Sequence, residues 1–361
     1  MNRTKHIALC IAFFLAAASS MSRAQAPGVP IERNEISLKD EALIRKASSL
    51  REAGRLLDDK KVTAALGHLR PPKIELKPAS TQKLEPREIA ALARRALVRV
   101  GWFYKCPHCD HWHVNVSAGY AISEDGIVVT CHHCVAPDSQ KMREGYLVAT
   151  NAEGEVFPVK EVLAADAKMD TAVVRVDATG LTALALHDQS HPGDAAWCLS
   201  DPMNHPGYFS AGLVNRFYWK EHDPAANATS FVGARHLRMN LSTDWAYGSS
   251  GAAILDSCGN VIAHVSQILP LTSEDGTPAT KSKAKDDGEK AEISTLIVLH
   301  EAIPARAVKL TNREKRAAVG GGHPRARGKA AAQPSSRPIE PLNTTPISPR
   351  TQQQQNNTQN Q

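Results

Sequence analysis

The sequence predicts an all-β fold for the middle of the chain, from about residue 98 to residue 300. Short apolar runs follow one another there at regular spacing, which is typical of a barrel or a sandwich. Two of these runs, 119–122 and 127–130, flank a turn that contains Asp125 and Gly126, and this pattern indicates a β-hairpin. Strand-like and helix-like patterns do not alternate, so we do not expect a doubly wound parallel sheet.

The other strand predictions depend on the same kind of short apolar run. They cover 98–100, 145–150, 156–160, 171–176, 195–199, 210–214, 252–255, 261–265 and 294–299. A short helix near 302–310 is expected to end this region.

The first 24 residues predict a secretory signal peptide. Arg3 and Lys5 precede a run, 7–18, that is apolar throughout apart from Cys10, and small residues at 22 and 24 offer a cleavage site before Gln25. The alternative is an uncleaved membrane anchor, but the run is short for a transmembrane helix. We therefore expect a periplasmic or secreted protein with no stable membrane insertion after cleavage.

Residues 25–95 are expected to form a helical segment followed by a linker, ahead of the β-rich region at 96–311. Apolar residues separated by charged ones predict a helix from about Ser37, and a second, shorter helix is expected to begin at Pro86. The stretch 273–292 is charged and has almost no large apolar residue, which predicts a flexible insertion. Residues 312–361 are rich in Pro, Arg and Gln, which predicts a disordered tail.

The charge of the chain gives no reason to expect a nucleic-acid partner. The formal net charge is +6 with a pI near 8.9, and the tail from Arg313 onward carries eight Lys and Arg against two Glu. The rest of the chain is therefore close to neutral, and a balance this mild does not require an acidic polymer as ligand.

Three stretches supply the groups that a serine protease needs, in the order His, Asp, Ser. His133 follows a strong strand, Asp170 directly precedes another, and Ser250 lies in the small-residue stretch 248–251 before a third. The chemistry requires a hydroxyl, an imidazole that removes its proton, and a carboxylate that orients the imidazole. Taken alone, each stretch is weak evidence for a protease. A single His is usually a packed or surface side chain without a catalytic role, and an Asp before a strand usually caps that strand.

Together, these stretches resemble the trypsin-like peptidases, and among them the bacterial Deg/HtrA-type protease domain. The resemblance covers roughly residues 96–311 and is carried by 118–133, 169–176, 210–214 and 248–251. It implies two six-stranded antiparallel β-barrels with the active site in the cleft between them. It also implies an endopeptidase that acts on protein or peptide substrates and requires no cofactor.

By position, the resemblance assigns roles to individual residues. His133 is the general base, Asp170 orients it and Ser250 attacks the substrate. The N–H groups of Gly248 and Ser250 form the oxyanion hole. His133 is preferred over His132 because it fits the family's Thr-x-x-His spacing.

The same resemblance suggests a specificity pocket. Asp244 lies six residues before Ser250, where an acid at the pocket base selects Lys or Arg, and Ser266 is expected to line that pocket. The alternative for Asp244 is a loop residue that caps backbone N–H groups.

Two departures from the family pattern are visible. Ala252 and Ala253 replace the usual Gly-Pro after the nucleophile motif, but both remain small, so we expect the turn to form. The sequence after the protease region is not long enough for a further domain of the PDZ type, so we expect none.

Six cysteines remain after signal cleavage, and an even number in an exported protein favours disulfides. The pattern Cys106-x-x-Cys109…Cys131-x-x-Cys134 permits a structural zinc site with four thiolates, disulfides, or a redox-active dithiol. The redox-active dithiol is the least favoured of the three interpretations. It needs a helix after the motif to activate the first thiol, whereas a strand is expected after Cys109. The expected compartment favours disulfides over zinc. The fold that the resemblance implies predicts a further disulfide between Cys198 and Cys258.

Three functions are therefore open. The first is an active endopeptidase that acts on exported or misfolded proteins. The second is a catalytically silent protease fold used for binding, since the sequence does not show that the oxyanion hole is formed. The third is a module whose function depends on zinc or on disulfides. The oligomeric state is left open.

Overall fold

Two antiparallel β-sheets make up most of the protein in a computed structural model that describes residues 31–32, 36–67, 74–221, 231–272 and 295–311. The expected signal peptide, the insertion at 273–292 and the tail at 312–361 lie outside these described residues.

Two helices and a short strand precede the β-rich region and pack onto it. They are α1 (Ile36–Glu52), β1 (Leu57–Asp58) and α2 (Asp59–Gly67). Val62 of α2 is fully buried against the first sheet, and Leu57 and Asp58 pair with Leu147 and Tyr146. The predicted first helix is present, but this segment is an integral part of the folded unit and not a loose spacer.

The third helix, α3 (Pro86–Ala96), has a local sequence reason for its start. Pro86 occupies the first helical position, and the side chain of Glu88 accepts a hydrogen bond from the N–H of Glu85 at 2.8 Å. This reciprocal cap satisfies backbone donors that a helix start leaves free. Ile89 is fully buried, so the helix contributes to the core. The helix starts at Pro86, as predicted.

The first sheet contains eight strands. They are β1, β2 (Val98–Lys105), β3 (Trp112–Ser117), β4 (Tyr120–Ala121), β5 (Ile127–Thr130), β6 (Glu144–Asn151), β7 (Val156–Asp166) and β8 (Thr171–Val176). Their order is β3-β2-β6-β7-β8-β5-β4, with β1 added to β6. A bridge between Leu97 and Tyr120 joins the start of β2 to β4. The sheet therefore curls on itself as a half-barrel.

The second sheet is a closed six-stranded barrel. Its strands are β9 (Ala195–Ser200), β10 (Tyr208–Trp219), β11 (Leu237–Leu241), β12 (Ala253–Leu255), β13 (Val261–Thr272) and β14 (Thr295–Pro304). The closed order is β10-β11-β14-β13-β12-β9. The all-β prediction is confirmed. The expectation of two six-stranded barrels fits the second sheet only, because the first sheet has eight strands and a β1 that the sequence pattern did not indicate.

Three further short α-helices complete the described part of the chain. Helix α4 (His132–Val135) follows β5, and α6 (Ala305–Thr311) follows β14, while α5 (Phe231–His236) precedes β11. The closing helix begins three residues later than predicted because β14 extends to Pro304.

The main hydrophobic core spans both sheets. It joins Tyr120 and Val129 of the first sheet to Ile254 and Val265 of the second, and Ile89 of α3 belongs to it as well. The two sheets therefore hold a fixed relation, which positions the groups at their junction. Of the helices that the structure describes, none combines the length and the apolar character needed to cross a bilayer.

Candidate active site

His133 and Asp170 meet at one end of the first sheet. Strand β5 pairs with β8 so that Thr130 lies opposite Ala172, and this places α4 beside the turn before β8. The Nδ1 atom of His133 lies 3.0 Å from both Oδ1 and Oδ2 of Asp170, and the main-chain N–H of His133 donates to Oδ1 at 3.2 Å. The two residues, 37 positions apart in the sequence, thus form one hydrogen-bonded pair.

The turn that presents Asp170 is strained and firmly held. Asp170 has a φ of 45°, a left-handed conformation that non-glycine residues seldom adopt. The carboxylate of Asp166 accepts hydrogen bonds from the N–H groups of Lys168 and Met169, and Met169 is fully buried against Ile303. The surrounding contacts therefore fix the carboxylate where it faces the imidazole.

Strand β13 of the second barrel also contacts Asp170. The hydroxyl of Ser266 donates to Oδ2 at 2.7 Å, and Nε2 of the buried His264 donates to the main-chain oxygen of Asp170 at 3.3 Å. Ser266 lies at a β-bulge between Val265 and Gln267, and a bulge can redirect a side chain. Sequence reasoning did not find His264. The available signal was a histidine among the apolar residues of the predicted strand 261–265.

Ser250 lies in a tight turn just before β12. The N–H of Gly251 donates to the oxygen of Val265 at 2.8 Å, and the N–H of Ala252 donates to that of Ser249 at 3.0 Å. Gly248 and Gly251 have φ values of 93° and 84°, which favour glycine. These bonds and dihedrals hold the turn against β13, with the buried Ser249 beneath it and the half-buried Ser250 at the cleft.

The backbone of this turn leaves two donors unused. Within the part of the chain that the structure describes, neither the N–H of Gly248 nor that of Ser250 donates to a protein group. Free N–H groups beside a hydroxyl are the feature that stabilises an oxyanion in acyl transfer.

One cleft of about 430 Å³ contains His133, Asp170 and Ser250 together. Its other walls come from the turn before Ser250 and from β13, and include Trp245, Tyr247, Val265 and Ile268. Among the described residues, no hydrogen bond joins Ser250 to His133 in this state. The three predicted residues therefore share one cleft, and of the three possible contacts the His133–Asp170 bond is the one formed.

The electrostatics of the pair lower the cost of placing a positive charge on the imidazole of His133. The hydrogen bond to Asp170, followed by one to Cys134, raises the pKa of His133 above its ordinary value. Burial alone would raise the pKa of Asp170, but the hydrogen bond and the charge of His133 outweigh it and bring that pKa to about 2. Asp170 therefore stabilises the protonated form of His133, which a general base must reach after it takes a proton.

Asp244 and Ser266 do not form the expected specificity pocket. Asp244 is exposed and does not line the cleft. The next residue, Trp245, is buried and lines the cleft instead, with its ring 4.8 Å from that of His300. Ser266 does line the cleft, but its hydroxyl is bound to Asp170. The offset of six residues from Ser250 was a poor guide because the side chains before the turn alternate between solvent and core.

The six cysteines of the described residues are all free thiols, so the expected disulfides are not formed. In the pairing of β9 with β12, the residue opposite Cys198 is Ile254, whereas Cys258 lies in the turn beyond β12. The four-thiolate zinc site is not formed either. Cys106 and Cys109 gather with His113, while Cys131 and Cys134 gather with His133, in two separate clusters.

Comparison with known proteins agrees with this geometry. No curated protein matches the chain. Residues 117–263 match the family model described as a trypsin-like peptidase domain, and this stretch contains His133, Asp170 and Ser250. Over residues 117–263, this chain is therefore similar to the trypsin-like peptidases, which supports a hydrolase that acts on peptide bonds.

Proposed function

We propose that this protein is a serine endopeptidase in which Ser250, His133 and Asp170 act together. The observation that carries the proposal is the contact between His133 Nδ1 and both carboxylate oxygens of Asp170, in the cleft that also contains Ser250. That contact leaves Nε2 of His133 as the ring nitrogen available to a hydroxyl. The family match over residues 117–263 supports the same assignment.

In the proposed reaction, the hydroxyl of Ser250 attacks the carbonyl carbon of the scissile peptide bond. His133 Nε2 takes the hydroxyl proton, and Asp170 stabilises the resulting imidazolium. The N–H groups of Gly248 and Ser250 donate to the oxyanion of the tetrahedral intermediate. The amine then leaves with the proton from His133, and a water molecule hydrolyses the ester on Ser250 in a second cycle of the same steps.

The natural substrates on this account are proteins or peptides outside the cytoplasm. Arg3, Lys5 and the apolar run at 7–18 support export, with cleavage before Gln25. The proposal requires no metal ion or cofactor for the chemical steps, because the side chains and the two N–H groups supply the base, the nucleophile and the oxyanion donors.

A second function, a silent protease fold used for binding, is favoured by one observation: no hydrogen bond joins Ser250 to His133 in the described structure. In free enzymes, such bonds are often long and tighten only when substrate is bound. The two functions therefore differ in whether the cleft hydrolyses peptide bonds.

Hydrolysis of an unfolded, fluorescently labelled protein separates the two. We expect the wild-type protein to release labelled peptides and Ser250→Ala to release none above background. Ser257→Ala is the matched control, because Ser257 is also half-buried and lies outside the cleft. If wild type and Ser250→Ala are equally inactive on several unfolded proteins, or equally active, the endopeptidase proposal is wrong.

A further inference from the structure

A cluster of two thiols and an imidazole lies at the tip of the hairpin that joins β2 to β3. Cys106 and Cys109 lie in the loop between the strands. His113 is on β3, where it pairs with Tyr104 of β2. The catalytic proposal does not use these residues, and the cleft around Ser250 does not include them.

The donor atoms of the cluster converge on one point. The Sγ atoms of Cys106 and Cys109 are 3.3 Å apart, and Cys109 Sγ is 3.0 Å from Nε2 of His113. All three donor atoms lie within 4.8 Å of one another. A sulfur–sulfur separation of 3.3 Å is also too long for a disulfide, whose bond is about 2.05 Å.

We propose that Cys106, Cys109 and His113 bind one zinc ion. In tetrahedral geometry, Zn–S bonds of about 2.3 Å and Zn–N bonds of about 2.0 Å place two sulfurs about 3.8 Å apart and a sulfur and a nitrogen about 3.5 Å apart. The observed separations reach these values with shifts of about half an ångström. Two thiolates and an imidazole are a donor set that zinc prefers over the hard cations.

The surroundings allow the ion to enter and to complete its coordination. Cys106, Cys109 and His113 are each half-buried, so solvent reaches the donors. His108 and His111 are exposed on the same loop, and either of them or a water molecule takes the fourth position. On binding, the two thiols release their protons to solvent.

The loop that carries Cys106 and Cys109 also contacts Arg143, in the segment after α4. Arg143 donates its main-chain N–H to the oxygen of Lys105 at 2.9 Å, and its guanidinium binds the oxygen of Cys109 and the carboxylate of Asp110. Arg143 lies between α4, which carries His133, and β6. A zinc ion at Cys106, Cys109 and His113 would therefore order the tip of the β2–β3 hairpin and its contacts with Arg143.

The test measures zinc in the full-length protein, purified under reducing conditions, stripped of metal and then dialysed against zinc. We expect one tightly held zinc per wild-type chain and loss of that zinc in the double variant Cys106→Ser/Cys109→Ser and in His113→Ala. Substitution by cobalt should give thiolate-to-cobalt charge-transfer absorption, which both variants lack. Zinc should also raise the melting temperature of the wild type and leave that of the double variant unchanged.

Two controls keep the proposal open to refutation. Cys258→Ser and the double variant Cys131→Ser/Cys134→Ser should each retain one zinc, because neither removes a donor of the hairpin cluster. The proposal is overturned if the reduced wild type binds no stoichiometric zinc. It is equally overturned if the zinc survives Cys106→Ser/Cys109→Ser and disappears from Cys131→Ser/Cys134→Ser. These readouts do not depend on peptide hydrolysis, so they stand whether or not Ser250 is a nucleophile.

Discussion

Asp170 is the side chain in which the contacts of the candidate site converge. Its carboxylate accepts hydrogen bonds from Nδ1 and the main-chain N–H of His133 and from the hydroxyl of Ser266. A carboxylate with several donors keeps its charge even when it is largely withdrawn from water. Asp170, in the turn before β8, thereby binds an imidazole from α4 and a hydroxyl from the second barrel.

The His133–Asp170 pair should make stability depend on pH in a defined window. The folded pKa of Asp170 is about 2, below its unfolded value of about 3.9, so its contribution is complete above about pH 4 and is lost as the pH falls through 2. The folded pKa of His133 is raised above its unfolded value of about 6.5, so its contribution is complete below about pH 6.5 and is lost as the pH rises through the folded pKa.

We therefore expect the difference in melting temperature between the wild type and Asp170→Asn to be largest between about pH 4 and 6.5, and to shrink on both sides. Thermal unfolding followed by circular dichroism across the pH range measures this. Asp244→Asn is the control, because that carboxylate is exposed and outside the cleft. A difference that stays constant from pH 3 to pH 10 would show that the pair is not coupled as described.

The two neighbouring histidines should differ sharply in their effect on turnover. His133 is bound to Asp170, whereas the half-buried His132 makes no hydrogen bond through its ring in the described structure. We expect His133→Ala to lower kcat by about 10⁴-fold or more, as loss of a triad member does, and His132→Ala to retain most of the activity. Peptide hydrolysis kinetics on both folded variants test this, and equal losses would refute the assignment.

At this scale, the sequence predicted which residues meet but not every contact they make. His133, Asp170 and Ser250 share one cleft, as motif order implied. Asp244 is exposed, and the hydroxyl of Ser266 is committed to Asp170. A motif fixes the backbone around a nucleophile, whereas the direction of a side chain six residues away depends on packing, here that of Trp245.

Among the secondary-structure elements, the turn at 246–251 decides whether Ser250 is presented to the cleft. Gly251 has a φ of 84°, and a Cβ there would lie 2.3 Å from the oxygen of Ala118 and 2.6 Å from Oγ1 of Thr130. Ala118 lies between β3 and β4, and Thr130 is the last residue of β5, just before α4. The turn therefore contacts the element that carries His133, and the contact leaves no room for a side chain.

Gly251→Ala should destabilise the protein more than Gly154→Ala, a replacement that strains the backbone but creates no steric overlap. Gly154 has a φ of 79°, and no atom lies within 4 Å of the position that a Cβ would take, so Gly154→Ala should cost about 1–2 kcal/mol from backbone strain. Gly251→Ala adds steric overlap, which typically costs a further 1–3 kcal/mol or so. Denaturant unfolding compares the two free energies of unfolding, and equal losses would contradict the close approach to Ala118 and Thr130.

The strands show which patterns carry over from sequence to structure. The hairpin of β4 and β5 was predicted from its Asp-Gly turn. Strand β11 was not predicted although Leu237, Met239 and Leu241 alternate with polar residues. All five of its residues are buried because polar contacts cover the face opposite the core, with Asn240 accepting from Arg216 at 2.8 Å. The polar residues of this strand are therefore buried although their hydrophobicity is low.

On the scale of the whole molecule, the site exists because two sheets share one core. The first sheet supplies His133 and Asp170, and the second supplies Ser250 and Ser266. Closure of the second sheet was implied by the family resemblance and is confirmed. Strand β1 was not predicted, because it comes from the N-terminal segment and its pairing with β6 across almost ninety residues leaves no local signal.

The central claim is that Ser250 is a nucleophile activated by His133, and covalent labelling tests it most directly. A fluorophosphonate probe reacts with a serine hydroxyl only where a base and oxyanion donors assist the attack. Incubation of the full-length protein with the probe, followed by peptide mass spectrometry, should place one adduct on Ser250 and show no adduct in Ser250→Ala or His133→Ala. If the folded wild-type protein carries no adduct, or the adduct persists in Ser250→Ala, the account is contradicted.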